Sequence, residues 1–128
     1  MAASKLQGFV PGRFPLDAYG AGGFRFADMS HIGSILALPS GIHAWGAVSP
    51  ESITAASLAA LFAEKRGAVD LLLLGTGVDL VPMPQRLRWK LADAGIRCEV
   101  MQTGAAARTY NILMAENRRV AASLLAVS

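Results

Sequence analysis

Two short runs of glycine and threonine stand where an apolar segment breaks off. Gly75-Thr76-Gly77 follows Leu71-Leu72-Leu73-Leu74, and Thr103-Gly104 follows Cys98-Glu99-Val100-Met101-Gln102. Backbone N–H groups left open by glycine, with a helix N-terminus behind them, can hold a phosphate or carboxylate. Neither nucleotide fingerprint is complete, however. A dinucleotide loop needs a third glycine, and Leu80 stands in its place. A phosphate loop needs Gly-Lys-Ser/Thr leading straight into a helix, but the next lysine is Lys90, beyond Pro82 and Pro84. Gly75 and Gly77 are therefore read first as a sharp exit from a buried strand. The second run suits an anion better, because Gly104 opens a helix directly and Arg108 lies one turn in, where it can fold back. If the two apolar segments are parallel neighbouring strands, Gly75, Thr76, Gly77, Thr103, Gly104 and Arg108 line one cleft at the edge where open α/β sheets bind ligands. The plainer expectation is that Thr103 caps its own helix and Arg108 is solvated.

The remaining chemistry-bearing residues are sparse. His31 and His43 have no second histidine, cysteine or carboxylate at ligand spacing, so no metal site is expected. Cys98, the chain's one cysteine, rules out an internal disulfide and fits a reducing, cytoplasmic compartment. Among apolar neighbours it is expected to be a core thiol of raised pKa rather than a nucleophile. Arg86, Arg88, Trp89 and Lys90 form a basic stretch with one aromatic. A nucleic-acid surface carries more cations and more stacking aromatics. Arg86 and Trp89 are instead read as a protein-contact patch, the composition of an interface hot spot. No catalytic constellation and no cofactor motif is complete, so neither a reaction nor a cofactor is expected.

The elements that must position these residues follow from pattern. Residues 1–48 are rich in glycine and aromatics, with short apolar or alternating segments at 23–27, 34–38 and 42–45 separated by turn chemistry such as Pro39-Ser40-Gly41. They read as an antiparallel β region. From Ser49 the pattern becomes helical: Ser49 as cap, Pro50 at the first position, Glu51 on the positive end of the dipole, apolar residues Ile53, Leu58, Leu61 and Phe62, and Gly67 as the stop. Residues 69–74 are a nearly continuous apolar run, the mark of a strand covered on both faces. Residues 84–94 read as a helix burying Leu87, Leu91 and Ala94 and exposing Arg86, Trp89, Lys90 and Asp93, ended by Gly95. Residues 96–101 read as a strand with Ile96, Cys98 and Val100 on one face and Arg97 and Glu99 on the other. Residues 104–116 read as an alanine-led helix whose three successive alanines, Ala105, Ala106 and Ala107, let it approach the sheet closely, with Ile112, Leu113 and Met114 supplying the remaining apolar contact, Tyr110 and Asn111 at its edges, and Asn117 in the left-handed turn after it. Residues 119–127 complete the series as a strand. Two consecutive strand-helix-strand units imply parallel pairing with right-handed crossovers. The expected fold is one α/β domain over residues 1–128, an N-terminal antiparallel region joined to strand-helix-strand units in a mixed sheet flanked by helices.

Composition agrees with a folded core. At 128 residues and 53% hydrophobic, such a chain buries roughly two-thirds of its unfolded surface without needing a disulfide or metal. Its net charge of +3, from 12 basic against 9 acidic residues, is too mild to name an acidic partner. The uncharged interval between Asp28 and Glu51 is broken by Gly33, Pro39, Gly41, Gly46 and Pro50, so no membrane span is expected. The N-terminal stretch shows no export-signal pattern.

The segments YGAGGFRF, GSILALPSG, LLLLGTG and ARTYNILMAENRRVAASLL, in this order and at these separations, resemble a small single-domain family of unknown biochemical function that includes the mitochondrial complex I assembly factor 3 and the adipogenesis-associated domain protein. The resemblance runs over about residues 19–127, with the Tyr-Asn helix and Glu-x-Arg-Arg-Val as its most specific part and Asn117 departing from the family's glycine. It implies a compact α/β fold with a mixed sheet and a role in assembling other proteins, and it carries over no catalytic residue. The reading is a non-enzymatic cytoplasmic protein acting through protein contacts, such as an assembly or biogenesis factor. The alternative is a small-molecule or anion-binding domain, enzymatic or not, using the loops after the parallel strands.

Overall fold

The run Leu71-Leu72-Leu73-Leu74 offers water no polar side chain on either face, so it is stable as a strand only in the interior of a sheet covered on both sides. It takes that place. The structure, a computed structural model, describes residues 9–128. The strands are β1 (Phe9–Pro11), β2 (Ala18–Gly20), β3 (Gly23–Phe26), β4 (Met29–Ile32), β5 (Ser34–Leu38), β6 (Gly41–Trp45), β7 (Leu71–Gly75), β8 (Arg97–Met101) and β9 (Val120–Leu124), and the helices are α1 (Ala59–Phe62), α2 (Gln85–Asp93) and α3 (Thr103–Ala115). Six strands form one mixed sheet in the order β1-β6-β5-β9-β7-β8, and β2-β3-β4 form a separate antiparallel sheet. β7 runs parallel to both β8 and β9, while β9 pairs antiparallel with β5. The expected mixed sheet with flanking helices is therefore observed.

Two crossovers leave β7 and β8 in opposite directions, β7-α2-β8 outward and β8-α3-β9 back across β7. Right-handed crossovers of opposite direction put their helices on opposite faces. The packing follows: Leu72 and Leu74 face Leu87 and Leu91 of α2 together with Ile53, Leu58 and Leu61. Leu71 and Leu73 face Ala106, Ala107 and Tyr110 of α3, joined by Phe24 and Phe26 of the small sheet. Alanines at 106 and 107, at 0% and 4% exposure, let α3 lie close to the sheet. Both helices end in the same way. Gly95 (φ +79°) and Asn117 (φ +62°) take the left-handed conformation, and the next residue's N–H reaches back, Ile96 to Leu91 O at 2.9 Å and Arg118 to Leu113 O at 3.0 Å.

The expected helix from Ser49 to Gly67 is corrected. The segment holds 3-10 turns at Pro50–Ser52 and Ala56–Leu58 and then the four-residue α1. The Ser49 side chain makes no bond to a helix N–H, and Ile53 is extended. The cause is a local exchange: Thr54 N–H donates to Ser57 Oγ at 3.0 Å and Ser57 N–H donates to Thr54 Oγ1 at 3.1 Å. Such a reciprocal pair starts a helical turn, so the coil stops at extended Ile53, which is placed in the core, and begins afresh after it. Gly67, at φ +88°, turns the chain well beyond the end of α1. In α3, Tyr110 is core at 1% exposure while Ile112 is 59% exposed, so the inward line runs through Ala106, Ala107 and Tyr110 rather than Ile112. Among the described residues no helix is long and apolar enough to cross a membrane. The reading of the N-terminal stretch for an export signal falls partly on residues 1–8, outside the described residues.

Candidate functional site

Gly75 ends β7 beneath the start of α3, where a Cβ would stand 2.9 Å from Leu124 Cδ2 and 3.0 Å from Thr103 Cα. Glycine lets helix and strand approach here. The chain turns at Gly77, φ +96°, and is tied directly to α3. Thr103 N–H donates to the Gly77 carbonyl at 2.9 Å, and Gly77 N–H donates back to Thr103 Oγ1 at 3.0 Å. The Thr103 hydroxyl donates in turn to the Leu125 carbonyl at 2.8 Å. The Thr76 hydroxyl lies 2.6 Å from Asp79 O and 3.3 Å from Met101 O and accepts from Val81 N–H at 3.1 Å, while its N–H donates to Met101 O at 2.9 Å. The structure thus brings the two loops side by side, with both threonine hydroxyls engaged inside the protein. Thr103 is the first residue of α3 rather than its cap; Gln102 holds the cap position and makes no side-chain bond there.

Gly104 lies under the phenol of Tyr19, with which any Cβ at this position would collide. Arg108 does fold back along α3, and its Nη1 donates to Tyr19 Oη at 3.3 Å. Sequence reasoning missed Tyr19, because its only signal was a place in a glycine-rich strand region far from Gly104. Asn111 has a comparable role: its amide accepts from Leu16 N–H and donates to Leu16 O, both at 2.8 Å. With Tyr110 in the core, the most distinctive pair of that helix serves to fasten the N-terminal chain to α3.

The other candidates are placed separately. His31 is 6% exposed, and its Nε2 lies 3.3 Å from the Ser34 carbonyl; burial holds its pKa below the usual imidazole range, the bond to Ser34 opposing. Since a carbonyl can only accept, Nε2 carries the proton. His43 packs against Phe9 with ring centroids 4.6 Å apart and planes tilted by 51°, its pKa lowered by burial and raised in part by Glu64. A cluster not foreseen joins His43 to Ser40 and Glu64: Ser40 Oγ donates to Glu64 Oε2 at 2.5 Å and lies 3.4 Å from His43 Nε2. These are the residue types of a hydrolytic triad in the wrong order, with serine rather than imidazole in the middle, so the imidazole is not oriented by the carboxylate to take the serine proton. Burial pushes the Cys98 thiol up to about 11, and its Sγ rests 4.0 Å from Met83 Sδ. Among the described residues no three His, Cys, Asp or Glu side chains are grouped to hold a metal ion.

Arg86 and Trp89 stand one turn apart on the outer face of α2, Trp89 at 65% exposure. Trp89 also forms one wall of a groove of about 630 Å³ between α2 and β8, whose floor includes Ala92, Ile96 and Cys98.

A family model described as "Protein of unknown function (DUF498/DUF598)" matches residues 16–125. The chain belongs to this family. An uncharacterized protein of Rhodobacter capsulatus is 43% identical to it over 123 residues, 96% of this chain and 92% of that one. The NADH dehydrogenase (ubiquinone) 1 alpha subcomplex assembly factor 3 of Drosophila melanogaster is 36% identical over 111 residues, 84% of this chain. That alignment spans only 56% of the fly protein. A crystal structure of a Bartonella henselae protein described as an outer membrane protein superposes with a TM-score of 0.87 at 49% identity, over 92% of this chain and 98% of that one. A Bordetella pertussis protein described as a Mth938-like domain gives a TM-score of 0.77 at 32% identity, over 88% and 85% of the two chains. These similarities agree with the resemblance that the segments around YGAGGFRF and ARTYNILMAENRR carry.

Proposed function

We propose that this family member is a non-enzymatic protein that acts through protein contacts, as an assembly or biogenesis factor, in the cytoplasm. Kinship with relatives named as assembly factors supports the class of role. A single, half-buried Cys98 with no disulfide supports a reducing compartment. The geometric observation that carries the reading is Trp89, a large aromatic held out at 65% exposure beside Arg86 and Lys90. Tryptophan and arginine are the residue types on which interface energy concentrates. The test is affinity capture from native extract with wild type and with Trp89→Ala combined with Arg86→Ala. Recovery of specific partners is expected to fall at least about tenfold, since a hot-spot residue contributes roughly 2 kcal/mol, while the thermal midpoint stays nearly unchanged. Equal recovery with both proteins would sink the reading.

The second reading, a small anion held by Gly75, Thr76, Gly77, Thr103, Gly104 and Arg108, is favoured by one contact, the Arg108 guanidinium folded toward the start of α3. Against it stand the engaged threonine hydroxyls and the phenol over Gly104. We expect inorganic phosphate titrated to millimolar concentration to leave the amide NMR shifts of these residues unmoved. Saturable shifts confined to them, and lost in Arg108→Ala, would replace the first reading with this one.

A further inference from the structure

β8 is the outermost strand of the large sheet, and no described residue pairs with its free edge. Its bonds to the interior fix which backbone groups face out. Arg97 N–H donates to Asp70 O at 3.0 Å, and Met101 O accepts from Thr76 N–H at 2.9 Å. Residues alternate along a strand, so Arg97, Glu99 and Met101 address β7 and the N–H and C=O groups of Cys98 and Val100 point outward. The Ile96 carbonyl points the same way, its N–H being held by Leu91 O at 2.9 Å. The opposite edge of the sheet is a three-residue strand ending in Pro11, which has no N–H to give. β8 is five residues long, contains no proline, and exposes Arg97 and Glu99.

Around Cys98 the sequence Ile96-Arg97-Cys98-Glu99-Val100 is apolar at both ends and opposite in charge on its two sides. We propose that β8 pairs antiparallel with β8 of a second copy about a two-fold axis through Cys98, closing a ten-residue, two-strand seam into a continuous sheet across the dimer. In that register the two Cys98 residues exchange both main-chain bonds, and each Val100 N–H meets the Ile96 carbonyl opposite. Arg97 of each copy then faces Glu99 of the other at the closer, non-hydrogen-bonded spacing, about 4.5 Å between Cα atoms. Edges protected from self-association carry like charges, prolines or bulges; an Arg-Glu pair related by this axis attracts its own inverted copy. The two grooves between α2 and β8, each with Trp89 as one wall, would open side by side at the seam. This inference goes beyond the partner reading and stands without it, since a dimer that captures nothing and a monomer that captures a partner are distinct results.

The experiment is sedimentation equilibrium over a wide concentration range on wild type, Arg97→Glu, Glu99→Arg and the double exchange, each checked for folding by circular dichroism and thermal melting. Wild type is expected to be a dimer. Each single reversal places like charges opposite at both symmetry-related pairs and should raise the dimer dissociation constant about tenfold or more, and the double exchange should restore it. A wild-type monomer at every concentration overturns the proposal. So does a dimer indifferent to the single reversals, or folded double-exchange protein that stays as weak as the singles.

Discussion

Asn117 shows what one residue's backbone can decide. It follows α3 at φ +62°, and the Arg118 N–H behind it reaches Leu113 O at 3.0 Å, the arrangement that Gly95 builds after α2. Asparagine tolerates this region better than most residues, glycine better still, and a β-branched residue worst. Asn117→Gly is expected to be neutral or mildly stabilising, whereas Asn117→Val should cost about 1–2 kcal/mol, read as a lower thermal midpoint. Equal midpoints for the two variants would mean that the turn does not impose the conformation. The left-handed turn was legible because Asn117 sits between a helix pattern and an apolar run. The approach of Ala106 and Ala107 to the sheet was legible too, but the inward place of Tyr110 was not, because Ile112, Leu113 and Met114 offered more apolar bulk one turn further on. Tyr19 was still less legible, since its contact with Gly104 and Arg108 depends on how the small sheet docks on α3.

At the scale of elements, the second half of the chain could be read in kind and order, though the last strand ends at Leu124 rather than at Val127. The apolar run of β7, the charge alternation of β8 and the glycine after α2 are local signals, and the alternation of strand and helix fixes the handedness of their connection. Juxtaposition of Gly75-Thr76-Gly77 with Thr103 follows from the parallel pairing of β7 and β8 alone. The first half resisted for physical reasons. β1, β2 and β4 have only three or four residues, too short for a period of two to stand out, and glycine at positions 20, 22 and 23 adds no pattern at all. Between Ser49 and Gly67 the apolar spacing is helical, but the coil stops at extended Ile53 and the Thr54-Ser57 exchange starts it afresh, an interruption that spacing does not display. Of the candidate groups, the Ser40-His43-Glu64 cluster was hidden most completely, since Glu64 reaches Ser40 from 24 residues away through the docking of the segment after α1 against the β5–β6 turn.

At the scale of the whole molecule, the two sheets are joined by the turn from β4 to β5, and a histidine sits at that junction. β4 carries His31, Gly33 turns at φ +107°, and β5 begins with Ser34, whose hydroxyl accepts from Ala126 N–H at 2.9 Å. The His31 imidazole donates to the Ser34 carbonyl and has a buried Nδ1 with no partner among the described residues. Protonation would place a charge on that atom with nothing to receive its proton, which is why burial lowers the pKa of His31 in the folded chain. The unfolded chain titrates at about 6.5, so below that pH it takes up protons that the folded chain refuses, and stability falls as pH drops from 6.5 toward the lowered folded value. His43, also lowered, adds to the same trend. The thermal midpoint of wild type is therefore expected to decline between pH 7.5 and pH 5, before carboxylates contribute. His31→Gln keeps an N–H for the Ser34 carbonyl and removes the titration, so whatever its midpoint at pH 7.5, its decline should be shallower than that of wild type. Parallel declines in the two proteins would assign the acid sensitivity to His43 or to another group, and would mean that His31 accepts its second proton in the folded state as readily as in the unfolded one.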